Sequence, residues 1–194
     1  MDKTLIDEMI AAARGTIALL AGKRSAAKYY DLSLKGLMGS LIAFVVAVTF
    51  NAFAPHFSGS SAAPQPWQAL IMVALLYVFQ TGFGALVLNQ FGRLDGLVPY
   101  LVADNWATFF ITAISGIMVF AGLNADGAIL VVGLLVIILE INIARLIVTL
   151  KPIQIAIFII AQLVGAFVGL MVLGAIFPSE LVGSMSGMSG AHAS

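Results

Sequence analysis

The sequence predicts an all-α integral membrane protein with five transmembrane helices and an N-terminal amphipathic helix at the membrane interface. Of its 194 residues, 61% are hydrophobic and 9% are charged, whereas about one quarter of a typical soluble domain is charged. Five long apolar runs follow one another, and each approaches the roughly 20 residues needed to cross a bilayer. The basic residues are concentrated in alternate connections between these runs, which is typical of polytopic membrane proteins.

The positions of the basic residues predict the orientation of the chain. Six of the nine Lys and Arg residues precede or begin the first apolar run, and Arg93 lies between the second and third runs. Arg145 and Lys151 flank the turn between the fourth and fifth runs. Because basic segments stay on the cytoplasmic side, we expect a cytoplasmic N-terminus and an external C-terminus, in a bacterial cytoplasmic (inner) membrane.

The composition argues against several classes of function. The formal net charge is zero and the chain contains no Cys, so we expect no nucleic-acid partner, no disulfide and no thiolate metal site. We find no phosphate-binding glycine loop, no HExxH motif and no nucleophile–base pair, and we therefore expect neither enzyme activity nor a cofactor. Met185, Met188 and His192 in the tail offer ligands for Cu(I), but no other feature supports a metal site and we expect none.

Residues 1–33 predict a cytoplasmic amphipathic helix followed by a basic linker. Thr4 is suited to cap this helix and Gly22 to end it. We expect the helix to lie on the inner membrane surface; the alternative is that it packs under the bundle or against a partner. Its apolar side repeats at helical spacing and comprises Leu5, Ile6, Met9, Ile10, Ala13, Ile17 and Leu20.

Residues 34–177 predict the five-helix transmembrane bundle. We expect its spans at about 34–54, 68–90, 104–122, 128–149 and 153–177. Segment 91–103 is expected to form an internal loop, with Asp104 capping the third span and Trp106 anchoring it at the interface. Pro178 is suited to end the last span, and residues 178–194 predict a flexible external tail.

Polar residues within the apolar runs are the first candidates for function, because polar groups are costly in lipid. Gln80, Ser115, Glu140 and Gln162 lie at similar depths, roughly 15 Å from the inner ends of their spans. We therefore expect one interior hydrogen-bonded cluster. Two interpretations remain open: the cluster fixes helix register around a protonated Glu140, or it is a proton or solute site.

A second polar set lies near the inner face and comprises Arg93, Asp95, Asn142 and Arg145. Asn142 and Arg145 are three residues apart and share a helix face, where they can contact Arg93 and Asp95 or a partner. For Arg145, extension of the side chain to the lipid headgroups is the simpler expectation.

A stripe of small residues in the fifth span predicts a helix-packing surface. Ala161, Gly165 and Gly169 are spaced by four and include a GxxxG match. Such a stripe lets another helix approach closely. It serves either packing within the bundle or contact with a homo-oligomer or protein partner.

The predicted layout has a cytoplasmic N-terminal region, five closely spaced spans and an external C-terminus. Over about residues 25–177 it resembles the Yip family of Rab-interacting membrane proteins and their prokaryotic relatives. Stretches 28–33 (Lys-Tyr-Tyr-Asp-Leu-Ser) and 102–106 (Val-Ala-Asp-Asn-Trp) are also similar to small bacterial inner-membrane proteins. The N-terminal segment is shorter than that of eukaryotic Yip proteins, so the resemblance implies neither Rab binding nor any catalytic residue.

Together these features predict a non-enzymatic accessory, scaffold or membrane-organising protein that contacts the lipid bilayer. The alternative is a small transporter or channel subunit that uses the polar layer around Glu140. Access of water to Glu140 would favour transport, whereas a dry, fully hydrogen-bonded Glu140 would favour the scaffold.

Overall fold

The computed structural model of the chain describes residues 4–57, 65–120 and 125–177, and over these residues it is helical and contains no β-strand. The predicted tail, with Met185, Met188 and His192, lies outside the described residues. Two 3-10 turns, Ala26–Tyr29 and Leu94–Gly96, and a π-helical turn, Ile143–Ile147, join or extend the main helices. These helices are α1 Leu5–Leu20, α2 Leu34–Phe57, α3 Pro66–Gln90, α4 Leu97–Phe120, α5 Ala125–Asn142 and α6 Pro152–Ile176.

Five of these helices, α2 to α6, supply segments that are long and apolar enough to cross a membrane. The mean hydropathy of their most apolar windows runs from 1.3 to 2.6. The predicted number of candidate spans is therefore confirmed. Helix α3 packs most extensively on α6, and α2 packs on α4.

The internal loop is shorter than the sequence predicted, and the expectation of a loop over 91–103 is wrong. Gly92, with φ +65°, ends α3 in a Schellman motif, in which Arg93 N donates to Leu88 O at 2.8 Å. The chain re-enters a helix at Leu97 because Pro99 falls in the first turn, where a missing N–H does no harm. Asp104 therefore lies inside α4 and is not its cap.

Trp106 is not an interface anchor, because it is buried in the bundle. Its side chain is 2% exposed, and its ring stacks on Phe110 and meets Phe109 edge-on. The early start of α4 explains this difference. A Trp more than two turns into the helix lies in the bundle core instead of at the membrane boundary.

Helix α1 uses its two faces differently. Thr4 caps it as predicted, in a reciprocal capping box with Asp7. The face with small residues packs against α4 and α5, and its buried positions are Ala12, Gly15, Thr16, Ala18 and Leu19. The large apolar residues Leu5, Ile6, Ile10 and Ile17 remain exposed. The contacts thus correspond to the alternative of packing under the bundle, and they leave an apolar face uncovered.

Tyr30 fixes α1 to the chain that follows it. Its ring lies so close to Gly15 that a Cβ there would approach Tyr30 Cε2 to 2.6 Å. The hydroxyls of Tyr30 and Thr16 are 3.1 Å apart and hydrogen-bonded. Burial raises the pKa of Tyr30 to about 12, so the phenol stays neutral at physiological pH.

The small-residue stripe of α6 is occupied within the chain. Gly165 and Gly169 are buried against α3, and a Cβ on Gly165 would lie 2.6 Å from the backbone oxygen of Phe79. Ala161 is partly buried. A homo-oligomer formed through this stripe, as the sequence allowed, would have to displace α3, so an oligomer requires another surface.

We expect Gly165→Ala to destabilise the bundle, because the new methyl group meets backbone that cannot rotate away. The expected loss is about 1–3 kcal/mol, seen as a lower midpoint of thermal unfolding in detergent. Gly133→Ala is the matched control, since a Cβ there meets nothing within 4 Å, and Ala favours a helix by up to about 1 kcal/mol. Equal midpoints for the two variants would contradict the close α3–α6 contact.

Candidate functional site

A cavity of about 380 Å³ lies between α3, α4, α5 and α6, with Phe44 of α2 in its wall. Most of the wall is aliphatic or aromatic, and none of the described residues that line it is Lys, Arg or His. Its polar lining comprises Tyr77, Gln80, Thr81, Tyr100, Asp104, Thr108, Glu140 and Gln162. The cavity therefore combines an apolar wall with a small set of converging polar groups, which is the usual make-up of a ligand site.

Helical spacing brings these polar groups onto facing surfaces. Tyr100, Asp104 and Thr108 recur every four residues and share one face of α4. On α3, Tyr77 and Thr81 are four residues apart, with Gln80 between them, and all three line the cavity. The polar lining is thus formed by two polar helix faces, together with one polar side chain each from α5 and α6.

The Tyr100 hydroxyl lies at the centre of the polar lining. It donates a hydrogen bond to Gln162 Oε1 at 3.0 Å and lies 3.3–3.4 Å from both carboxyl oxygens of Glu140. The ring is 4% exposed and is held edge-on against Phe158, with ring centroids 5.1 Å apart. A phenol has one hydrogen to donate, so Glu140 and Gln162 compete for it.

The carboxyl groups of Asp104 and Glu140 lie within hydrogen-bonding reach of each other. A hydrogen bond between two carboxyl groups requires a proton on one of them, because two carboxylates in contact repel each other strongly. A proton held between the two groups removes this repulsion. This arrangement can hold a proton or exchange it for another cation.

Gln162 has unused hydrogen-bonding capacity. Its Nε2 atom is buried and has no hydrogen-bond partner among the residues that the structure describes. A buried donor without a partner costs about 1–3 kcal/mol. Such a cost is often found where a protein binds a ligand or water.

A second hydrogen-bonded chain holds Tyr77 in place at the cavity. Tyr77 OH donates to Asn105 Oδ1 at 3.0 Å, and Asn105 Nδ2 donates to Ser40 Oγ at 3.2 Å. Ser40 in turn donates to the carbonyl of Leu37 at 2.9 Å. Asn105 and Ser40 are fully buried, so this chain ties α2, α3 and α4 together.

The predicted inner-face set divides between two places. Arg93 donates to the carbonyl oxygens of Val148 and Thr149, to Thr149 Oγ1 at 2.8 Å, and pairs with exposed Asp95 at 3.6 Å. Thr149 has φ +59°, a costly conformation for a β-branched residue. Arg93 therefore fastens the strained turn after α5 to the turn after α3.

Asn142 and Arg145 do not join Arg93. Asn142 Nδ2 donates to the carbonyl of Leu19 at 2.8 Å and so holds the last turn of α1. Arg145 is exposed. The π-helical turn Ile143–Ile147, where Val148 N donates to Ile143 O, rotates the chain after Asn142 out of the regular α-helical register.

The predicted polar layer is brought together only in part. Gln80, Glu140 and Gln162 line the cavity, but Ser115 does not, and its hydroxyl donates to the carbonyl of Ile111 in its own helix at 2.8 Å. Because α4 begins at Leu97, Ser115 lies about two turns further from the start of its helix than the sequence suggested. Ser115 is therefore not part of the cluster.

Five polar residues of the cavity lining were not identified from the sequence, namely Tyr77, Thr81, Tyr100, Asp104 and Thr108. Tyr100, Asp104 and Thr108 are spaced four residues apart, which indicates a polar helix face. This face can be recognised only if residues 97–103 are taken as helix. On α3, Tyr77 and Thr81 flank Gln80 at helical spacing, and this neighbourhood alone would have indicated a polar face. Among the described residues, no group of three or more His, Cys, Asp or Glu side chains is placed to hold a metal ion.

No family model, curated protein or solved structure matches the chain. The resemblance to the Yip family therefore stays a prediction, and function has to be argued from the cavity and the surface of the protein.

We expect the cavity to be reached by water, which cysteine labelling tests directly because the natural chain contains no Cys. In detergent, Thr81→Cys and Thr108→Cys should react with a small water-soluble methanethiosulfonate, since a thiolate forms only where water reaches it. Ser115→Cys, outside the cavity, should react far more slowly, and Asp95→Cys is the exposed positive control. Labelling of Asp95→Cys alone would contradict an open cavity.

Proposed function

We propose that this protein spans the membrane through α2 to α6 and acts as a small transporter or channel component. Its working site is the cavity between α3, α4, α5 and α6, where it binds a proton and a polar solute. The observation that carries the proposal is that Asp104 of α4 and Glu140 of α5, two carboxyl groups on neighbouring helices, line the same cavity. No catalytic role is proposed for either residue.

The cavity favours transport over a purely structural polar core. Two carboxyl groups in an apolar bundle are costly, and well-packed apolar residues are often more stable in their place. Hydrogen bonds that fix helix register need close packing, yet the space beside Glu140 equals the liquid volume of about a dozen water molecules. Access of water to Glu140 is the feature that distinguishes a transporter from a scaffold. The volume of the cavity beside Glu140 supports transport.

The position of the Tyr100 hydroxyl supplies a means of coupling protonation to helix contacts. When Glu140 is ionised, it attracts the phenol hydrogen of Tyr100, which leaves Gln162 without that bond. When Glu140 is protonated, Tyr100 donates to Gln162 and joins α4 to α6. Gain or loss of one proton on α5 therefore changes the contact between α4 and α6.

We further propose the orientation that the basic residues predict, in a bacterial cytoplasmic membrane. The ends where α3 finishes and α6 begins, which carry Arg93 and Lys151, face the cytoplasm of a bacterial cell, together with α1. Arg145 is exposed at the same end, where its side chain can reach anionic headgroups. The cavity then lies roughly 15 Å inside the membrane.

We expect liposomes containing the purified protein to take up protons when a potassium diffusion potential, negative inside, is imposed. A pH-sensitive dye trapped inside the vesicles reports the flux. Glu140→Gln and Asp104→Asn should each abolish most of the protein-dependent flux, because they remove a proton site without changing side-chain size. Ser115→Ala, outside the cavity, should retain it.

The amount of protein recovered in the vesicles is measured for each variant, so that a loss of proton flux is not confused with a loss of reconstituted protein. Flux that survives in Glu140→Gln and Asp104→Asn would rule out the carboxyl pair as its path. A wild type that conducts no more than empty vesicles, together with a cavity closed to thiol reagents, would overturn transport as the function.

A scaffold or membrane-organising role remains the second proposal, supported by the uncovered apolar face of α1. Leu5, Ile6, Ile10 and Ile17 are 47–67% exposed, and in this proposal they bind the lipid surface or a membrane-protein partner.

For this second proposal we expect a stoichiometric partner to co-purify from native membranes in mild detergent. The double variant Ile10→Ser/Ile17→Ser should lose that partner, because it removes the exposed apolar contact while the buried face of α1 stays intact. Glu140→Gln serves as the control and should retain the partner. Retention by the α1 variant would exclude α1 as the docking surface.

A further inference from the structure

We propose that the solute bound in the cavity is a small organic cation, an ammonium group on a partly apolar body. This inference rests on the proposed function, because it names the class of solute for that same site. It goes further by excluding anions, neutral solutes and divalent metal ions as the preferred occupants.

The charge of the lining selects a cation. Asp104 and Glu140 are the only acidic side chains among the described residues that line the cavity, and no basic side chain is among them. Arg93 does not line the cavity, and its guanidinium donates to the turn at Val148 and Thr149. An anion would therefore meet one or two carboxyl groups and no compensating positive charge, which is strongly unfavourable at low dielectric.

The ligand set of the cavity disfavours a bare metal ion. Divalent cations such as Ca²⁺ take six to eight oxygen ligands from a cage of carboxylates and carbonyls. Here two carboxyl groups face a wall that is largely hydrocarbon, and the described residues contain no larger acidic cluster. An ammonium group needs fewer partners, since one carboxylate and a few hydroxyl or amide oxygens satisfy its donors.

The aromatic and aliphatic wall fits the rest of an organic molecule. Phe44 and Tyr77 form a ring pair with centroids 4.6 Å apart, and both line the cavity. Aromatic faces attract ammonium groups, and Leu76 and Ile111 add apolar surface. The volume of about 380 Å³ admits a molecule of roughly ten non-hydrogen atoms with some water.

The carboxyl pair makes binding an exchange. The empty site holds a proton between Asp104 and Glu140, and the ammonium group takes its place, so one proton leaves as one cation enters. The net charge of the site is unchanged. Affinity must therefore rise with pH, by about tenfold per unit where the pair is protonated when empty.

Three probes of nearly equal size and shape test this inference on the full-length chain in detergent. They are phenethylammonium, its neutral isostere 2-phenylethanol and the anion phenylacetate, each followed by isothermal titration calorimetry. We expect measurable binding of phenethylammonium, weaker binding of the alcohol and none of phenylacetate. Titration in two buffers that differ in their enthalpy of ionisation should show that close to one proton is released for each phenethylammonium bound.

Variants connect the binding to the cavity. Glu140→Gln should weaken the binding of phenethylammonium far more than the binding of 2-phenylethanol, and it should reduce the number of protons released. Ser115→Ala should behave as wild type. In Thr108→Cys, phenethylammonium should slow labelling by the cationic methanethiosulfonate, and the cationic reagent should react faster than its anionic sulfonate counterpart.

The outcomes separate this inference from the proposed function. Equal affinity for all three probes, preference for phenylacetate, or no binding of phenethylammonium with no protection of Thr108→Cys would each overturn the cation as the solute. If proton flux through the wild type persists in that case, the proposed transport function stands with another solute. If proton flux is also absent and the cavity is closed to thiol reagents, both fail.

Discussion

The hydroxyl of Tyr100 joins parts of the bundle that have little other contact. Helices α3 and α6 pack closely through Gly165 and Gly169, and α2 packs along α4, but α5 makes only a small contact with α6. Tyr100 brings α4, α5 and α6 together through Glu140 and Gln162. Because lipid offers no hydrogen bonds, polar groups in a membrane bundle must satisfy one another. The cavity and its carboxyl pair lie where the two closely packed pairs meet.

The acceptor to which Tyr100 donates its hydrogen bond therefore affects how α4, α5 and α6 are held together. Ring packing against Phe158 fixes the direction of Tyr100, so its hydroxyl can change acceptor without a large movement of the ring. The chain from Tyr77 through Asn105 to Ser40 holds the opposite wall in place. A cavity with firm walls and one adjustable hydrogen bond is suited to bind a solute in more than one protonation state.

The five candidate spans and the cap at Thr4 could be predicted from the sequence, because apolar run length and capping residues act locally. The start of α4 could not. Pro99, Gly96 and Asp95 favour a loop over 91–103, yet burial of Tyr100 and Val102 outweighs that local tendency. The error then placed Ser115 in the polar layer and left Tyr100 and Asp104 out of it. Gln80, Glu140 and Gln162 were found because a polar residue in a long apolar run can be recognised wherever the helix begins.

The Arg93 contact to the turn at Thr149 gives the bundle a fixed end. It fastens the α3–α4 connection to the α5–α6 connection, and Asn142 fastens α1 nearby. The α3–α6 pair and the α2–α4 pair are therefore held together at one end, and the cavity separates them further along the helices. If the two helix pairs move apart, they rotate about the Arg93–Thr149 contacts, and the distance between the pairs increases away from those contacts. The strained Thr149 backbone thus marks the pivot of such a movement, and the helix ends furthest from Thr149 would separate most.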